Sequence, residues 1–118
     1  MNLNRRIENY WDERSGALSK IRRLELNGID GAAWRNFFKK NLPDKNLKIL
    51  DVGTGAGFFA AILSELGHEV IGVDMSTKML SEAKKNLHEL KLRAEFIKMN
   101  AQALDFDDET FDAVVTRN

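Results

Sequence analysis

The residues best equipped for chemistry in this chain are two aspartates and the glycines that lie between them. Asp51-Val52-Gly53-Thr54-Gly55-Ala56-Gly57 closes a short apolar run, and Asp74 closes another about 20 residues further on. Glycines allow positive φ in a turn and let a backbone approach a ligand closely. A helix starting behind such a turn offers free N–H groups to an anionic group. A plain tight turn would also use three glycines. Acids at both flanking positions favour a ligand site instead.

The spacing bears on which ligand. A dinucleotide loop wants Gly-x-Gly-x-x-Gly. Gly53 and Gly55 fit it, but its third glycine would fall at Phe58, whereas here it comes one residue early at Gly57. Asp51 stands two places before the first glycine, where a carboxylate repels a diphosphate and attracts an ammonium and a sulfonium. That chemistry favours S-adenosylmethionine over NAD. Asp74 is placed to accept both hydroxyls of an adenosine ribose. It also suits the start of a helix ahead of Ser76, so it supports adenosine without choosing the cofactor.

The elements that must hold these residues follow from the pattern. Leu3, Ile7, Tyr10, Trp11, Leu18, Ile21 and Leu24 recur at helical steps until Asn27-Gly28. Asp30 is expected to cap a second helix carrying Trp34, Phe37 and Phe38, ended by Leu42-Pro43-Asp44. Residues 1–44 thus form a helical preface. From residue 45 the pattern is βαβ: strands at 48–52, 69–74, 93–99 and 111–116 alternate with helices at 56–66 and behind Ser76. Met79, Leu80, Ala83, Leu87 and Leu90 should form the inward stripe of the latter helix. The fold class is α/β, a Rossmann-like parallel sheet of about four strands with flanking helices, in one partial domain spanning 1–118.

Ile49 to Gly57, Val73-Asp74-Met75-Ser76 with Met79-Leu80 behind it, and Phe111-Asp112-Ala113-Val114-Val115 together resemble the ordered motifs of the class I S-adenosylmethionine-dependent methyltransferases. The resemblance covers roughly Ile49 to Asn118, and more loosely Tyr10-Trp11-Asp12. It implies S-adenosyl-L-methionine as cofactor, with Asp51, Gly53, Thr54, Gly55, Gly57 and Asp74 around it. It puts Met75 on the adenine face and Asn100-Ala101 where the family usually has an acid and a small residue for the adenine amine. Tyr10 and Trp11 would lie over the cofactor or anchor their helix to the sheet. Arg117 and Asn118 would face the methyl acceptor, expected to be a small molecule.

The family fold usually has seven strands, and the last three carry much of the acceptor pocket. The fourth strand, central there, becomes an edge here. Its apolar residues Phe111, Ala113, Val114 and Val115 are expected to invite a second copy or a complementary C-terminal half. A non-catalytic cofactor-binding or assembly module is the alternative function. An NAD-dependent oxidoreductase is disfavoured by Phe58 and Asp51.

Bulk properties agree with a cytoplasmic protein. The 18 basic and 18 acidic residues balance, giving no electrostatic reason to expect nucleic acid or an anionic membrane. Cysteine is absent, which removes thiol nucleophiles and zinc-thiolate sites. His68 and His88 lack ligand-spaced partners, so no metal is expected. Residues 1–11 do not read as a signal peptide.

Overall fold

The computed structural model describes residues 2–107 and 109–117. Two helices come first, α1 (Leu3–Leu26) and α2 (Ile29–Asn41). The remaining elements alternate: β1 (Lys48–Val52), α3 (Phe58–Glu65), β2 (Glu69–Asp74), α4 (Thr77–Glu89), β3 (Glu95–Lys98) and β4 (Ala113–Thr116). All pairs are parallel, in the order β3-β2-β1-β4. Lys48 pairs with Glu69 and Val52 with Val73, which brings the ends of β1 and β2 side by side. Asp51 and Asp74 therefore sit at one rim of the sheet.

The two central strands, β1 and β2, are buried because both of their faces carry apolar side chains. On the face covered by helices, Ile49 and Val70 pack with Phe58, Phe59, Ile62 and Leu63 of α3, Phe38 of α2 and Leu87 of α4. Trp34 joins this layer, its ring 4.8 Å from that of Phe59. On the other face Leu50, Ile71 and Val73 meet Ile97, Met99, Phe106 and Phe111.

Helix ends follow local rules. Asn2 caps α1 by accepting from the Arg5 N–H at 2.8 Å, and Ser76 caps α4 by accepting from Met79 at 3.1 Å. The N-cap of α2 is Gly28, with no side-chain bond, so Asp30 lies in the first turn rather than at the cap. Helix α3 starts at Phe58, two residues later than the sequence suggests, because Gly57 at φ +88° is its left-handed N-cap.

The outer strands are shorter than expected. β3 pairs with β2 only from Glu95 to Lys98, and β4 pairs with β1 only from Ala113 to Thr116. Phe111 lies before β4 and stacks edge-on against Phe106 at 4.9 Å. Ala113 and Val115 face the helical layer, so only Val114, 62% exposed, is an apolar residue of β4 turned to solvent. Leu90, expected on the inward stripe of α4, is its exposed C-cap, and Asn86 is buried in the stripe instead. His68 ties the turn after α3 to the start of β1, its Nδ1 accepting from the Leu47 N–H at 3.1 Å. Among the described residues no helix is long and apolar enough to cross a membrane.

Candidate functional site

The glycine loop leaves β1 and turns across the end of β2. Gly53, Gly55 and Gly57 all have positive φ, and the Thr54 N–H donates to Val73 O at 2.9 Å. Thr54 then donates from Oγ1 to Oδ2 of Asp51 at 2.8 Å. This crossing needs room on β2. A Cβ on Gly72 would lie 2.5 Å from Thr54 Oγ1 and 2.9 Å from Phe96, so glycine at that position is a packing requirement of the loop. An isolated glycine inside a strand pattern is the signal that could have marked it.

Asp51 is 2% exposed and lies on the helix-covered side of the sheet. Burial pushes its carboxyl up to about 7, the Thr54 hydrogen bond opposes this, and the charge of Asp74 adds to it. At neutral pH Asp51 is thus only partly ionised, which modifies the simple expectation of a fixed negative charge. A cation placed beside it would draw it into the ionised form.

Asp74 is held by two backbone donors. Gly55 N–H reaches its Oδ2 at 2.9 Å and Ser76 N–H its Oδ1 at 3.0 Å. Each carboxylate oxygen retains accepting capacity for a further hydroxyl.

A cleft of about 500 Å³ opens above these acids, within the roughly 300–1,000 Å³ of small-molecule sites. Asp51, Gly53, Thr54, Gly55, Asp74, Met75, Ala101, Trp11 and Arg117 line it, all anticipated from the sequence. Ile7, Leu18 and Arg22 of α1, with Met79, Met99 and Thr116, line it too and were not anticipated. Three anticipated residues stand away from it. Gly57 faces α4, where a Cβ would lie 3.0 Å from Leu87. Asn100 directs its side-chain oxygen to the Gln102 N–H at 2.9 Å. Tyr10 is exposed, its ring under the Arg14 guanidinium at 3.5 Å and edge-on to Trp11. Asn118 lies outside the described residues.

Arg117 stacks on Phe58 at 4.3 Å and pairs with Glu25 at 2.8 Å. Glu25 also holds Arg22 at 2.9 Å, so one carboxylate serves two guanidiniums at this end of the cleft. The cleft is therefore bipolar, with acids over the strand ends and cations between α1 and β4.

Helix α1 forms the outer wall. One of its faces presents Ile7, Trp11, Leu18 and Arg22 to the cleft. Another presents Glu8, Asp12, Ser19 and Arg23, spaced by four, seven and four residues. Glu8 pairs with Lys98 at 2.5 Å, and Asp12 accepts from Ser76 Oγ and from the Lys78 N–H at 3.3 Å. Ser19 accepts from Asn86 at 3.0 Å, and Arg23 pairs with Glu89.

Residues 49–118, more than half of the chain, match the family described as methyltransferase domain. The chain belongs to the class I S-adenosylmethionine-dependent methyltransferases. Within the family it is 34% identical over 112 residues to a ubiquinone biosynthesis O-methyltransferase of Bradyrhizobium diazoefficiens, covering 90% of this chain and 44% of that protein. It is 33% identical to a demethylmenaquinone methyltransferase of Chlorobaculum tepidum, covering 92% and 45%. The chain thus spans less than half the length of these curated relatives. Its fold resembles that of magnesium protoporphyrin IX methyltransferase from Synechocystis PCC 6803 with bound S-adenosylhomocysteine, at a TM-score of 0.71 and 20% identity, covering 93% and 56%.

Proposed function

We propose that this chain binds S-adenosyl-L-methionine in the α1-walled cleft and supplies the cofactor-binding half of a methyl transfer to a small-molecule acceptor. The observation that carries this reading is the pair Asp51 and Asp74, set on adjacent strand ends by one glycine loop. The donor set suits the cofactor. A buried carboxyl held near 7 gains a cationic partner from the ammonium group, and a carboxylate anchored by two N–H groups is preorganised for a ribose diol.

When bound, the cofactor supplies an activated methyl group on a sulfonium, and the protein supplies orientation and exclusion of water. Asp51 would meet the ammonium end, Asp74 the ribose, and Met75 with Ala101 the adenine end. Trp11 closes the outer side, where its ring offers a cation–π face. Tyr10 would act through Trp11 rather than by contact. Asn100 would reach an adenine amine only by giving up Gln102, and Gly57 supports the loop by letting α4 close behind it. Arg117 borders the end of β4, where the acceptor would approach. The names of the relatives, ubiquinone biosynthesis O-methyltransferase and demethylmenaquinone methyltransferase, support a small-molecule acceptor. The free side of β4 with exposed Val114 is where we propose that a further strand adds, from a complementary segment or a second copy.

Calorimetric titration with S-adenosylmethionine, S-adenosylhomocysteine and NAD tests the reading. The first two should bind and NAD should not. Binding of NAD alone would overturn it, and an Asp74→Ala variant that binds as tightly as the parent would remove the ribose role.

A further inference from the structure

Ser76 is the buried junction between the outer wall and the ribose carboxylate. It is 0% exposed, and each of its polar groups is committed. Its N–H donates to Asp74 Oδ1 at 3.0 Å, and its Oγ accepts from the Met79 N–H at 3.1 Å. The one hydroxyl proton goes to Oδ1 of Asp12, on the neighbouring helix α1. The same Asp12 oxygen accepts from the Lys78 N–H at 3.3 Å, so its carboxylate also faces the positive end of α4. A hydroxyl has a single proton, and a buried one without an acceptor is costly. Asp12 therefore ties the N-cap turn of α4 to α1 at two points, Ser76 Oγ and the Lys78 N–H, and the same turn carries the Ser76 main-chain N–H that holds Asp74.

Asp12 lies next to Trp11 in sequence, and Trp11 lines the cleft. The wall that encloses the ligand and the carboxylate that reads its ribose thus share one hydrogen-bonded connection.

We infer that Asp12 is a positioning residue, which couples the docking of α1 to the orientation of Asp74 through Ser76 and touches no ligand itself. The inference rests on the proposed ribose role of Asp74, and it extends that role to a residue outside the cleft. In the docked state Asp74 is aimed at the diol. With α1 displaced, Ser76 loses its acceptor and Asp74 loses a fixed donor. Cofactor affinity then depends on a residue of the preface.

The test has two arms on the full chain. In ligand-free protein, hydrogen exchange is read at the Gly55 and Ser76 amides, the two donors to Asp74. Asp12→Ala should speed both, and Asp12→Asn, whose amide oxygen can still accept from Ser76 and Lys78, should restore them. Glu8→Ala loosens the wall without touching Ser76, so it should speed α1 amides only. If Asp12→Ala speeds α1 but leaves Gly55 and Ser76 unchanged, Asp12 is only an anchor and the inference fails.

In the second arm, S-adenosylhomocysteine is titrated into Asp12→Ala, with and without Asp74→Ala. The Asp12→Ala change should weaken binding about tenfold in the parent and hardly at all when Asp74 is gone. An equal loss in both backgrounds would overturn the coupling. If Asp74→Ala alone binds as tightly as the parent, the ribose reading fails, and the exchange arm still decides whether Asp12 orients Asp74.

Discussion

The floor and the outer wall of the cleft are held by different forces. The floor, made of β1, β2 and α3, is fixed by apolar packing on both faces of the sheet, with Ile49, Ile62, Leu63 and Val70 buried on the helical face and Val73 on the other. The wall, α1, is fixed to α4 and β3 largely by Glu8, Asp12, Ser19 and Arg23, through ion pairs and hydrogen bonds. Apolar burial has no charge for salt to screen, whereas exposed ion pairs are screened by it and contribute little each. The lesson is a division of labour. The floor sets the geometry of Asp51 and Asp74, and the wall encloses the cleft above them.

The sharpest way to break that contrast is to cut the floor. Ile62→Ala removes a fully buried side chain and should cost about 2–5 kcal/mol in urea unfolding. A loss below that range would mean that the layer collapses around the missing side chain instead of holding a cavity. Gly72→Ala comes next. Its methyl would strike Thr54, so the variant should lose about 1–3 kcal/mol and also displace the Asp51 partner. Unchanged stability together with unchanged cofactor affinity would remove the claim that Gly72 makes room for the loop.

Asp51 gives the floor a pH dependence. Its carboxyl is raised from 3.8 to about 7 in the folded chain, so the native state binds a proton that the unfolded chain releases. Stability contributed by that proton is present below pH 4 and falls as pH rises towards 7, by at most about 1.4 kcal/mol per pH unit. Asp51→Asn should remove this slope, so that parent and variant diverge across the window in unfolding experiments. Parallel curves would contradict the assignment. The same variant should bind S-adenosylmethionine less tightly, since its side chain cannot ionise.

The wall should yield the smallest effect. Glu8→Gln breaks the Lys98 pair and should cost only about 0.2–1 kcal/mol, vanishing as salt is raised. A larger, salt-independent loss would put the wall in the same class as the floor.

These two regions were also unequally legible. β1 and β2 were readable to the residue, because each is an apolar run stopped by a glycine turn or an acid. β3 and β4 pair on one side only, and their ends depend on register with a neighbour rather than on their own composition. The acids and glycines of the loop announce a ligand site by type and spacing. The α1 seam does not. Glu8, Asp12, Ser15 and Ser19 read as a solvated helical face, and only tertiary packing turns that face towards α4. Asn86 escaped for the same reason: its amide joins Ser19 to Ala56 O, a link between three segments that no local pattern encodes. Asn100 was read for its chemistry, and the structure engages it in a turn with Gln102.

The chain has two tryptophans, and the fold assigns one to each region. Trp11 stands in the wall of the cleft, while Trp34 lies against Phe59 beneath the floor. Intrinsic fluorescence therefore carries two separable optical signals. In a Trp34→Phe variant, emission should shift when S-adenosylhomocysteine is added, because the remaining indole lines the cleft. In a Trp11→Phe variant it should stay constant on ligand addition and change only on unfolding. Each half of the molecule thus carries its own lamp, and the order in which the two change colour under denaturant would show which half lets go first.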